Sequence, residues 1–206
     1  MFRKFYFSSL AQEIVVFLVL LTLFSFIPMS QLTIQGSIFI LSLYALVASL
    51  LRRFTFKQLG FVKPSKEIVV KWVLLTLGMI IAIVLLKIIF PDGIFRGVSK
   101  NRQAFLYLIP FYVLIGTFFQ EFVFRGYLFA QTSKLFSIGP SVTINIFLFS
   151  IFHIPYFVQY QSNLLYLSII AGVCWAFMYA KYPNLYMVWI SHGIVGSLSL
   201  LLLQKF

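Results

Sequence analysis

Between Ala104 and Ala130 the chain is almost wholly apolar, yet its centre, Phe118-Phe119-Gln120-Glu121-Phe122-Val123-Phe124-Arg125-Gly126-Tyr127, carries an acid and a base. A run of this length and periodicity reads as a membrane-spanning helix. An ionised side chain near the middle of a bilayer costs about 2.5 kcal/mol even on the mildest scale. Glu121 and Arg125 stand four residues apart, so a helix puts them on one face, where each neutralises the other. Such a pair is tolerated when it faces other helices or a wet cavity, and not when it faces lipid.

Composition extends this reading to the whole chain. Charged residues are 10% of the 206 and hydrophobic residues 62%, against about 25% charge in a soluble domain. That is too little charge to cover a water-facing surface. The expectation is one membrane domain over residues 1–206, with its motif-bearing core at 104–204. The net charge of +12 does not point to nucleic acid. The basic residues cluster at the ends of apolar runs, where loops meet anionic headgroups. Cys174 is the one cysteine, so no intramolecular disulfide forms.

Seven apolar runs cover roughly residues 14–27, 34–51, 69–90, 104–130, 141–157, 164–180 and 185–203. The fold class is therefore all-α, a polytopic membrane bundle of about seven to eight helices. Arg3 and Lys4 precede the first run and no small-x-small cleavage site follows it, so it reads as an uncleaved span with its N-terminus inside. The loop after the second run holds Arg52, Arg53, Lys57, Lys63 and Lys66 and is assigned to the cytoplasm. Lys181-Tyr182-Pro183-Asn184 then forms an inner turn and Gln159 to Asn163 an outer loop. Pro91-Asp92-Gly93 makes an outer turn, and Arg96, Lys100 and Arg102 beyond it run against the rule. Glu13 is expected to snorkel or to pair with a nearby base, Glu67 to be solvated, and Lys71 and Lys87 to reach the headgroups. Ser168, Ala171, Gly172 and Ala176 suit close helix packing. No internal repeat is visible, which argues against a transporter.

Four ionisable residues lie deep in the runs: Glu121, Arg125, His153 and His192. At about 1.5 Å per residue, Glu121 lies roughly 14 Å, His192 roughly 11 Å and His153 roughly 18 Å above the inner end of its span. An acid and two imidazoles from three helices therefore fall within little more than one helical turn of the same level, in either orientation of the bundle. Two chemistries use such a set. A carboxylate and a histidine can polarise a water that attacks a peptide carbonyl while the other histidine donates to the oxyanion. Alternatively, Glu121, His153 and His192 can ligate a divalent metal that activates the water. No cofactor is firmly implied.

Three motifs carry a resemblance. Gln120-Glu121-Phe122-Val123-Phe124-Arg125-Gly126 is similar to a Glu-Glu-x-x-x-Arg motif, Phe149-Ser150-Ile151-Phe152-His153 to Phe-x-x-x-His, and His192-Gly193-Ile194-Val195-Gly196 to His-x-x-x-Asn or Asp. In this set and spacing the chain resembles the CAAX protease and bacteriocin-processing family, also called the Abi or type II CAAX prenyl endopeptidase-like family of intramembrane peptidases. The resemblance implies an all-helical membrane domain that cleaves peptides, with the first-motif acid and His153 activating water and His192 helping to form the oxyanion site. It also implies a peptide or membrane-protein substrate, met in lipid. Two positions depart from the pattern: the first acid is Gln120, whose amide cannot accept a proton at neutral pH, and the last residue is Gly196, which offers no side-chain donor. The reading is thus an intramembrane endopeptidase of the bacterial plasma membrane, impaired by Gln120, in which Arg125 orients Glu121 and Gln120 lines the site. The alternative is a non-catalytic immunity or regulatory protein on the same scaffold.

Overall fold

The structure, a computed structural model, describes residues 11–16, 18–20, 22–23, 31–90, 109–155 and 164–202. Among them the chain is helical, with no strand. Residues 11–16, 18–20 and 22–23 are helical. Then come α1 (Gln31–Leu51), α2 (Lys66–Ile89), α3 (Ile109–Leu135), α4 (Ile138–Phe152), α5 (Leu164–Lys181) and α6 (Leu185–Leu202). The expected all-α bundle is observed. Three helices, α2, α3 and α6, are long and apolar enough to cross a membrane. The outer turn at Pro91-Asp92-Gly93, the basic residues 96, 100 and 102, and the loop at 159–163 lie outside the described residues.

The bundle is organised around α3. Every residue from Gln120 to Phe129 is buried, charged ones included. α1 turns Ile38, Leu41, Ala45 and Ala48 inward and packs on the later part of α3, while Phe39, Ile40, Leu43, Leu46, Val47 and Leu50 face out. α2 buries Trp72, Thr76, Met79 and Ile83 at helical spacing and packs on α6, which buries Leu185, Val188, His192, Val195 and Ser199 on one stripe. This polar-in, apolar-out arrangement is what a helix bundle adopts when its solvent is hydrocarbon.

Local chemistry sets the helix ends. The Ser65 hydroxyl accepts from the Ile68 N–H at 3.3 Å to open α2, and the Asn184 Oδ1 accepts from the Met187 N–H at 3.1 Å to open α6. Asn184 also donates to the Val62 carbonyl at 2.7 Å, and the Leu185 N–H to the Gly60 carbonyl at 2.8 Å. The 52–65 loop and the 181–184 turn therefore meet at one end of the bundle. Glu13 is buried at that end. It pairs with Arg52 and accepts from the Tyr127 hydroxyl at 2.8 Å and the Gln131 amide at 3.2 Å.

Three expectations need correction. Lys71 does not run to the headgroups. Its ammonium is taken up by Glu67, one turn back, and by the Tyr182 hydroxyl in the turn before α6. α3 continues to Leu135 rather than stopping near Ala130, because Gln131 and Thr132 are buried against the bundle and find partners there. α4 ends at Phe152, so His153 caps the helix rather than lying inside a span. Pro155 is the reason, since it has no N–H and its ring would clash with the carbonyl of Ile151.

Candidate active site

Phe149, the first residue of the second motif, is the hub of the site. Its ring lies 4.6 Å from the His153 ring and 5.8 Å from the His192 ring, and the Arg125 guanidinium sits 4.1 Å over its face. Arg125 is a fully buried cation. Its charge is met by Glu121 (Nη1 to Oε1, 3.1 Å), by the Gly172 carbonyl at 3.3 Å and by that aromatic face. Gly172 is required at its position, because a Cβ there would stand 2.8 Å from Phe149 Cδ1. The small-residue face of α5 thus lets α4 bring the hub against the charged pair.

The remaining motif residues separate into two groups. Glu121 Oε1 also accepts from His192 Nδ1, at 2.6 Å, so the carboxylate joins α3 to α6. His153 Nδ1 lies 2.8 Å from the Phe149 carbonyl. A carbonyl only accepts, so Nδ1 carries the proton and, in the neutral ring, Nε2 carries the lone pair. A cavity of about 910 Å³ is lined at its polar end by Tyr112, Gln120, His153 and His192, and elsewhere by apolar residues such as Leu75, Met79, Ile83 and Leu86. Glu121 and Arg125 do not line it. Gln120 does, and its Oε1 is buried with no hydrogen-bond partner among the described residues, a cost of about 1–3 kcal/mol that a native fold retains for a reason.

Residues that carried no motif hold His192 in place. The Trp175 ring lies 4.4 Å from the His192 ring at 31°, and its indole N–H donates to the Ser191 hydroxyl at 3.0 Å. The Thr76 hydroxyl of α2 lies 2.8 Å from the same oxygen. Two π-helical segments, Tyr112–Gly116 and Phe122–Leu128, bracket Gln120 and Glu121 on α3. Such turns are often found where a helix must re-aim side chains at a functional site. Asn145 of α4 donates its amide to the Phe124 carbonyl within the second segment. A polar residue inside an apolar run was the available signal for Asn145, Thr76 and Ser191, but nothing in the sequence says which partner each would meet.

The metal alternative finds no assembled ligand set. Among the described residues no group of three His, Cys, Asp or Glu side chains is placed to hold a metal ion. Glu121 instead meets His192 by a hydrogen bond to Nδ1, with its Oε1 shared with a guanidinium.

The comparisons agree with the motifs. No curated protein and no solved structure matches the chain significantly. The family model of the type II CAAX prenyl endopeptidase Rce1-like family matches residues 101–198, a stretch that contains all three motifs and most of the helices that carry them. With its apolar helices and polar interior this is a membrane protein, and its residues 101–198 are similar to the Rce1-like family of type II CAAX prenyl endopeptidases.

Proposed function

We propose that the protein is a multi-pass endopeptidase of the bacterial plasma membrane, N-terminus cytoplasmic, that hydrolyses a peptide bond in a membrane-anchored peptide. One observation carries the reading: His153 and His192, from two helices, each spend Nδ1 on a fixed acceptor while lining one largely apolar cavity with Gln120. A fixed Nδ1 sets the orientation of each ring, so proton transfer or donation falls to Nε2.

In the proposed reaction His153 Nε2 takes a proton from water as the water oxygen bonds to the scissile carbonyl carbon. Gln120 orients that water through its amide but cannot take its proton. His192, its Nδ1–H held by Glu121, donates from Nε2 to the carbonyl oxygen as it gains charge. The carbon–nitrogen bond then breaks, and the proton on His153 passes to the departing nitrogen, leaving a carboxylic acid and an amine. Arg125 keeps Glu121 in place and touches nothing that reacts.

The test is direct. Purified protein in phosphatidylglycerol-containing vesicles is offered a pool of fluorogenic membrane-anchored peptides, beside the Gln120→Glu variant. Cleavage by both, faster in the variant, is the expected result. If neither cuts any peptide, the peptidase reading is wrong. The non-catalytic immunity or regulatory reading, which the amide at Gln120 favours, then takes its place.

A further inference from the structure

Tyr112 stands directly over Gly196. A Cβ built on Gly196 would collide with the Tyr112 hydroxyl oxygen and lie 3.2 Å from both Cε1 and Cζ of the ring. The phenol and residue 196 thus compete for one space, and here the phenol has it. Tyr112 Oη lies 3.5 Å from His192 Nε2, with the two rings edge to face at 6.4 Å. Both line the cavity with Gln120 and His153. Tyr112 opens the π-helical segment of α3, and Val113 beside it accepts from the Trp189 indole of α6 at 2.7 Å. The hydroxyl is therefore held against α6 by its neighbour's contact as well as its own.

At 3.5 Å the hydroxyl–imidazole contact is at the outer limit of a hydrogen bond, and a phenolic proton rotates to suit its surroundings. Two donors at that separation can both lie about 2.7–3.1 Å from one shared oxygen, the geometry of an oxyanion site. The cavity has a phenol at the point where residue 196 has no side chain to offer.

We propose that Tyr112 is a catalytic residue, whose hydroxyl donates a hydrogen bond to the carbonyl oxygen of the scissile bond alongside His192 Nε2. α3 supplies from Tyr112 the donor that α6 lacks at Gly196. Tyr112 keeps its proton throughout, so no bond is made or broken on it. The inference rests on the peptidase reading above.

The test uses the full chain in phosphatidylglycerol-containing vesicles with the same fluorogenic peptide pool. Tyr112→Phe keeps the ring and removes only the donor. It should leave the unfolding midpoint and KM unchanged and lower kcat about 10²-fold. Tyr112→Ala with Gly196→Asn should turn over faster than Tyr112→Ala alone, because an amide N–H then enters the vacated space. Equal kcat in the wild type and Tyr112→Phe overturns the proposal, as does a change confined to KM or a double variant no faster than Tyr112→Ala. Failure of the parent reading looks different: neither the wild type nor Gln120→Glu cuts, and both proposals fall together.

Discussion

Glu121 Oε1 lies 2.6 Å from His192 Nδ1 and 3.1 Å from Arg125 Nη1. One carboxylate oxygen thus serves a guanidinium one turn along its own helix and an imidazole 71 residues away. The pair is not only an internal neutralisation of α3. It fixes the rotation of α6, and with it the direction in which His192 Nε2 points.

Removing Arg125 should therefore cost fold as well as function. Arg125→Met leaves a buried carboxylate with only His192 to balance it, and breaking a buried pair from one side costs about 3–5 kcal/mol. The double change Glu121→Gln with Arg125→Met should cost less than the single one. Equilibrium unfolding in mixed detergent measures both, and equal losses would mean the two residues are not coupled.

His153→Ala should reduce cleavage by about 10²- to 10⁴-fold, the usual contribution of a positioned base. Gln120→Glu should act in the opposite direction, adding a second proton acceptor to the cavity wall. Initial rates on the fluorogenic peptides check both. Undiminished cleavage by His153→Ala would remove that imidazole from the reaction.

Trp175 should act through His192. Trp175→Phe keeps a ring beside the imidazole but loses the indole donor to Ser191, at a cost of about 1 kcal/mol. The effects of Trp175→Phe and Ser191→Ala should add only in part, because both remove the Trp175–Ser191 hydrogen bond while Ser191→Ala also removes the one from Thr76. Additive effects on the unfolding midpoint would show that the two side chains act separately.

Sidedness is testable with single cysteines. In a Cys174→Ser background, Lys57→Cys and Lys181→Cys should both react with a membrane-impermeant maleimide from the same face, since the 52–65 loop and the 181–184 turn are hydrogen-bonded to each other. Under the positive-inside rule that face is expected to be the cytoplasmic one. Labelling of intact cells at both positions would reverse the orientation and leave the fold untouched.

Much of this architecture is legible in one dimension. The apolar runs marked α2, α3 and α6, the Glu121–Arg125 spacing of four became a real contact, and the small residues of α5 became a packing face against α4. Less legible were the details that give the site its character. Lys71 looked free to reach the headgroups and found Tyr182 instead, a residue far along the chain. His153 has the apolar neighbours of a mid-span residue, yet Pro155 two residues on ends α4 before it. Neither π-helical segment of α3 has a sequence signature, yet each inserts an extra residue per turn and so shifts the phase of whatever follows.

By itself, then, the sequence determined the solvent, the helices and the pairings within a helix. These follow from local hydropathy and from a period of 3.6 residues, neither of which needs a second helix. Only the tertiary structure decided that Glu121 reaches His192, that Gln120 rather than Glu121 faces the cavity, and that Tyr112 fills the space beside Gly196. Those relations depend on how far each helix is rotated and slid against its neighbours. That is set by the interlocking of side chains such as Phe149, Trp175 and Arg125, whose meeting points lie far apart along the chain.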